Sequence, residues 1–215
     1  MRPVELVRDF PSEGAYGVSS QVVAVSDEID ELRSRHYDLI ATLLGRAPSQ
    51  DMLDDLSGLR GDASPLGQAC AELSAAAASA EIHAVEREFF DLFVGVGRGE
   101  LVPYASYYLT GFLNERPLAR VREDLARLGL ERSEAMSEPE DHVAMLLETM
   151  AGLASGRFEA EPGTDRAFFE RHLKPWAARF FGDVETARAA RFYRAVGKVG
   201  RTFMDIETDA YALDA

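Results

Sequence analysis

Cysteine is nearly absent. Cys70 stands alone in 215 residues, which excludes an internal disulfide and any metal centre built on several thiolates. A reducing compartment suits such a chain. Long apolar runs are missing too. No stretch approaches the ~18 uninterrupted residues of a membrane span, because charge interrupts the apolar positions every three or four residues. Positive charge is scarce: 23 Lys and Arg face 37 Asp and Glu, a net charge of −14. A chain this acidic is poorly suited to nucleic-acid phosphates and better suited to a basic partner. The imbalance is uneven, with −10 in residues 1–100 and −4 in the remainder. Arg2 and Arg8 lack an apolar stretch behind them, since Pro11, Ser12, Glu13 and Gly14 interrupt. No export signal is therefore expected, and the expected location is the cytoplasm.

The common catalytic patterns are absent as well. There are four histidines, His36, His83, His142 and His172, with no H-E-x-x-H and no paired E-x-x-H, so no metal and no cofactor is expected. Gly95, Gly97 and Gly99 follow a helical pattern rather than a strand, and Gly197-Lys198 lacks the other residues of a phosphate loop. Cys70 lies in an Ala-rich stretch and reads as a small packed thiol rather than a nucleophile.

What remains is helix. Apolar residues make up 47% and charged residues 28%, a globular balance that fits one domain of this length. Residues 1–25 mix Pro, Gly and Ser and read as a loosely ordered N-terminal extension. From Ser26, an N-cap candidate, apolar residues recur at helical spacing through Ile29, Leu32, His36, Leu39 and Leu43. Ser49 and Ser64-Pro65 open two further helices. Helical patterns follow over 80–93, 104–113, 117–128, 164–181 and 184–213. Ser137-Glu138-Pro139-Glu140 reads as a capping box for a helix carrying Val143, Leu146, Leu147 and Met150. β-type alternation persists nowhere beyond residue 25. The expectation is an all-α domain over residues 26–215, a bundle of about nine helices.

Three clusters carry chemistry. Glu138 to His142 places two carboxylates at an expected helix N-terminus, where helix stabilisation alone accounts for Glu140 and Asp141. Asp141 and His142 are adjacent, so on a helix they point about 100° apart, and one of them is expected to face a groove or solvent. The segment Glu88 to Gly97 joins an aromatic helix end to three glycines, followed by the aromatic start Pro103 to Leu109; the reading is core packing plus a groove lip or hinge. Phe168 to Phe181, with the only tryptophan, Trp176, reads as core.

These segments together resemble the TorD/DmsD chaperones. The matching residues are Phe89-Phe90-Asp91-Leu92-Phe93-Val94-Gly95, Pro103-Tyr104-Ala105-Ser106-Tyr107-Tyr108, Glu138-Pro139-Glu140-Asp141-His142, His172-Leu173-Lys174-Pro175-Trp176 and Phe192-Tyr193-Arg194. The likeness spans roughly residues 28–205, with Val102 where many members carry a first proline. It implies an all-helical cytoplasmic chaperone, not an enzyme. Such a protein binds the twin-arginine signal peptide and the body of a molybdoenzyme precursor, and delays export until the molybdenum cofactor is inserted. The signal-peptide-binding residues it implies are Phe89, Leu92, Phe93, Tyr104, Ser106, Tyr107, Glu138, Pro139, Asp141 and His142. Neither nucleic acid nor stable membrane insertion is expected, and monomer and swapped dimer both stay open. Two alternatives stand beside this reading. One is a NarJ-like chaperone of a cytosolic reductase subunit. The other is a helical enzyme using Asp141 and His142 as an acid–base pair.

Overall fold

The computed structural model describes residues 20–131 and 138–213. Among them are ten α-helices, one π-helical turn and no strand. α1 (Ser20–Gly45) begins six residues ahead of the Ser26 start, because Gln21 to Val25 contain no Pro or Gly to stop it. The rest of the expected extension, residues 1–19, and the cap candidate Ser137 lie outside the described residues. α2 (Gln50–Ser57) and α3 (Pro65–Ala78) start where the sequence placed them. Ser49 Oγ accepts from the Met52 N–H and Ser64 Oγ from the Gly67 N–H. α4 (Ile82–Phe89) runs directly into a π-helical turn, Phe90–Val94. α5 (Ala105–Thr110) and α6 (Arg116–Arg127) follow.

α7 (Val143–Ala154) is apolar on nearly all sides and forms the centre, with α1 and α8 (Thr164–His172) against it. α9 (Ala177–Thr186) and α3 pack on the long α10 (Phe192–Leu213). Gly200 lets α10 approach α9 closely: a Cβ there would stand 2.2 Å from the Phe181 ring. Trp176, Phe180, Phe181 and Tyr193 are fully enclosed in the main core, so the core reading of the Phe168–Phe181 segment holds.

Two helical expectations are corrected. The helix expected over 164–181 is two helices. Pro175 has no N–H to donate, and a tight turn through Leu173–Trp176 is closed by Trp176 Nε1 on the His172 carbonyl at 2.6 Å. The helix expected from Val184 begins only at Phe192, after α9 has run on to Thr186. The capping box is also corrected: Glu138 to Asp141 precede the helix, and α7 begins at Val143 with His142 as its cap.

The end of the body where α1, α8 and α10 meet is tied by charge. Arg33 is bidentate to Glu207, Nε to Oε1 at 3.0 Å and Nη2 to Oε2 at 2.8 Å. Tyr37 donates to Glu207 Oε2 at 2.7 Å, and Tyr211 donates to Asp165 at 2.7 Å. Glu207 is 1% exposed.

Candidate functional site

The aromatic segment is oriented by a buried carboxylate. Glu88, the last but one residue of α4, accepts three backbone N–H groups at the start of α10: Arg191 at 2.7 Å, Phe192 at 3.1 Å and Tyr193 at 2.7 Å. These are among the unpaired donors every helix start presents, and a negative charge there also meets the helix dipole favourably. With α4 fixed on α10, the π turn buries Leu92 and sets Phe89 and Phe93 half-buried against Tyr193, with ring centroids at 5.9 and 5.3 Å. Phe90 and Val94 are left exposed.

The glycine segment forms a closed turn. The Gly95 N–H donates to the Phe90 carbonyl at 2.7 Å, Glu100 N–H to Asp91 at 3.0 Å and Leu101 N–H to Leu92 at 2.8 Å. Gly95 has φ +63°, and a Cβ there would meet the Arg98 carbonyl at 2.1 Å, so both the conformation and the space require glycine. Glu100 accepts the Arg188 and Ala189 N–H groups at 2.8 and 3.1 Å and ties the turn to the α9–α10 loop. Val96 stands at its tip, 97% exposed. Arg98 folds across Tyr107, donating from Nη2 to the hydroxyl at 2.6 Å with its guanidinium 4.9 Å from the ring centroid.

The Glu138–His142 segment is pinned to the start of α5. The Val143 N–H donates to Pro103 at 2.8 Å, the Ala105 N–H donates to the Asp141 carbonyl at 3.0 Å, and Tyr104 pairs with His142 in an antiparallel bridge. This pairing holds His142 extended, which is why α7 starts one residue later. Asp141 Oδ2 accepts the Ser106 N–H at 2.8 Å and caps α5. His142 Nδ1 accepts the Ala144 N–H at 3.2 Å, and its ring meets Tyr104 edge to face at 5.0 Å. Asp141 is 1% and His142 7% exposed. The expectation that one of the pair faces outward is therefore overturned: neither lies within a helix, so helical spacing does not apply. Burial holds the His142 imidazole down at about 4. Each side chain is committed to a neighbouring N–H, an arrangement that supports backbone structure rather than proton transfer. Glu140 bonds Arg122 of α6, Nη2 to Oε2 at 2.9 Å.

Above this scaffold lies an apolar groove of about 400 Å³, lined among others by Phe93, Leu101, Tyr104, Tyr107 and Phe112, with Arg98 at one side. Tyr104 donates its hydroxyl to the exposed carboxylate of Glu138, and burial together with that bond holds the phenol protonated. Phe112 is 70% exposed; Val94 and Leu113 are exposed beside it. Of the ten site residues read from sequence, Phe93, Tyr104 and Tyr107 line the groove. Glu138 reaches it through Tyr104, and His142 supports Tyr104 from below. Leu92, Ser106 and Asp141 are buried beneath it. Phe89 stands behind Phe93, ring centroids 5.3 Å apart, and half-buried Pro139 accepts the His142 N–H at 3.0 Å. Sequence reasoning missed Arg98, Leu101, Phe112 and Leu113. Phe112-Leu113, an apolar pair directly after Gly111, was the available signal.

A larger cleft of about 990 Å³ lies between α1, α6 and α8. Its walls carry both signs and are paired with one another, Arg127 and Arg171 both bonding Asp124 at 2.5 and 3.0 Å. It holds none of the ten residues. Among the described residues no group of three or more His, Cys, Asp or Glu side chains is placed to hold a metal ion, and no helix is long and apolar enough to cross a membrane.

Residues 59–182 match the family model of the nitrate reductase delta subunit. The chain is 31% identical over 136 residues to the chaperone protein TorD of Vibrio cholerae, covering 59% of this chain and 61% of that one. It is 25% identical over 203 residues to TorD of Vibrio vulnificus, covering 84% of this chain and 94% of that one. The chain thus spans about three fifths of the length of the first of these relatives. In fold it is similar to a redox enzyme maturation protein from Archaeoglobus fulgidus, with a TM-score of 0.57, 22% identity, and coverage of 80% of this chain and 93% of that one.

Proposed function

The chain belongs to the nitrate reductase delta subunit family, and from that premise we propose that it is a maturation chaperone for a molybdenum-cofactor oxidoreductase. It holds the apo form by binding the twin-arginine signal peptide in the groove beside α5, and so delays export until the cofactor is in place. It works in the cytoplasm, where such precursors are made. The observation that carries this reading is the groove itself. Phe93, Tyr104 and Tyr107 open onto solvent beside the exposed Val94, Phe112 and Leu113, and the carboxylate of Glu138 stands at the edge.

A signal peptide of this kind is a basic region followed by an apolar stretch. Burying one Leu or Phe is worth about 1.5–3 kcal/mol, whereas an exposed ion pair is worth about 0–1 kcal/mol. The apolar stretch therefore supplies most of the affinity, and the carboxylates and the net charge of −14 supply encounter rate and partner choice. Three or four buried side chains, less the ordering cost, give binding near the micromolar level, about −8 kcal/mol. That strength suits a holder that must later release.

The test is calorimetric titration of the full chain with a synthetic peptide that joins an arginine pair to an apolar stretch. The expected outcome is micromolar binding, weakened about tenfold or more by Phe112→Ala. A client that binds equally well once its signal is removed would transfer the chain to the NarJ-like reading, with a cytosolic reductase subunit as partner.

A further inference from the structure

The groove has two charged edges of opposite sign, and the tyrosines that line it present one to each. Tyr104 immediately precedes α5 and Tyr107 lies in its first turn, and both rings line the groove. The Tyr104 hydroxyl is held by the Glu138 carboxylate. The Tyr107 hydroxyl is held by Arg98, whose guanidinium also covers the ring at 4.9 Å. Neither charge is neutralised by its neighbours: among the described residues, no ion pair joins Glu138 to a cation or Arg98 to a carboxylate. Arg98 is held over Tyr107 by that hydrogen bond. It is presented by the glycine turn, closed at Gly95 N–H on Phe90 and at Leu101 N–H on Leu92. The floor between the two edges is apolar, with Phe93, Leu101 and Pro103.

We propose that Arg98 is a specificity residue that fixes the direction of the bound segment. Its charge keeps a cation-bearing end away from the glycine turn, so that end lies at Glu138 and the apolar stretch runs towards Arg98. This inference rests on the reading of the groove as the site of a basic-then-apolar peptide, and adds the orientation and the residue that sets it. Without Arg98, the apolar floor alone accepts the stretch in either direction, because burial of apolar surface is non-directional. Like charges placed together at an exposed edge change affinity by about two- to fivefold per cation. That is enough to order the peptide without dominating its affinity.

Fluorescence anisotropy on the full chain tests this with two labelled synthetic peptides that share one apolar stretch. One carries an arginine pair at a single end and the other an arginine pair at both ends. The wild-type chain binds the single-ended peptide about fivefold more tightly. Arg98→Glu removes or inverts that preference, because both edges then attract a cation. A benzophenone residue at the apolar end of the single-ended peptide cross-links the wild-type chain at the Gly95–Gly99 turn, and cross-links Arg98→Glu at both edges. An unchanged preference in Arg98→Glu, or cross-links at both edges of the wild-type chain, overturns the assignment of direction while leaving the groove as the site. Binding of neither peptide by the wild-type chain overturns the chaperone reading of the groove and the direction with it.

Discussion

Where α1, α8 and α10 meet, buried charge is paired with charge; around α5, the carboxylates of Glu88, Glu100 and Asp141 are paired with backbone. Arg33, Glu207, Tyr37, Tyr211 and Asp165 satisfy one another at the first end and offer little to a partner. At the second end Glu88, Glu100 and Asp141 accept backbone N–H groups at 2.7–3.1 Å and hold the chain in a shape that leaves apolar side chains uncovered. The contrast shows how one fold can keep an apolar surface exposed beside a closed polar network. Hydrogen bonds from the backbone to these carboxylates fix the segments, and ring contacts on the inner side of Phe93 and Tyr104 hold those side chains while their outer sides stay uncovered.

The comparison breaks most visibly at Glu207. Glu207→Ala strands the buried Tyr37 hydroxyl and takes from half-buried Arg33 its bidentate partner, leaving it Asp30 and Asp165, and the expected loss is about 3 kcal/mol in denaturant unfolding, with peptide affinity unchanged in the folded fraction. A loss below about 1 kcal/mol would mean that the charged end is no more demanding than a surface pair.

Acidification separates the ends next. The unfolded chain protonates His142 below about 6.5, whereas the folded chain resists until about 4 because the ring is buried. Stability therefore falls as pH drops through that window, by about 3 kcal/mol when complete. His172, whose pKa burial also lowers despite Asp124, acts in the same direction. Glu148 of α7 acts in the opposite one. Burial and then Asp38 raise its carboxyl to about 7, so it contributes stability that is present below the unfolded value and lost as pH rises through 7. The opposing slopes flatten the wild-type profile between about pH 4.5 and 6.5. Glu148→Gln exposes the histidine-driven fall, and His142→Asn leaves a profile that rises on acidification. Unfolding free energies at three pH values decide it; a Glu148→Gln profile as flat as wild type would remove Glu148 from the account.

Asp141→Ala comes third. It strands the buried Ser106 N–H, and the expected cost is about 1–3 kcal/mol together with weaker peptide binding, since α5 loses its cap. Asp141→Asn keeps an acceptor and loses less of both. A variant that binds less while unfolding at the wild-type midpoint would mean that Asp141 touches the peptide after all. The smallest stability effect belongs to Phe112→Ala, expected within about 0.5 kcal/mol in unfolding despite its large effect on binding. A larger loss would show that the exposed ring is part of the core.

Much of this was legible in the residues. Ser49 and Ser64-Pro65 announced their helices because caps are local chemistry, settled within three residues of chain. The aromatic and acidic segments that line or support the groove were found by their likeness to a family. The false capping box at Ser137–Glu140 shows where local reading stops. The pattern is sound, but Pro139 to His142 close a turn and the Tyr104–His142 bridge, formed across 38 residues of chain, holds His142 extended, so the helix starts at Val143. Pro175 is visible in the sequence, yet the periodicity on either side of it reads as one continuous helix.

The helical character of the described residues is written locally, because the period of the apolar positions and the caps are properties of neighbouring residues. The acidic character follows from counting. Which polar residues face solvent is settled by the packing of segments far apart in the chain. Glu88 and Asp141 are buried against segments distant in the chain, where unpaired N–H groups need an acceptor, and His142 is buried against the distant Tyr104 while accepting the nearby Ala144 N–H. Exposure and partner choice depend on what the fold brings alongside, and no spacing within one segment encodes that.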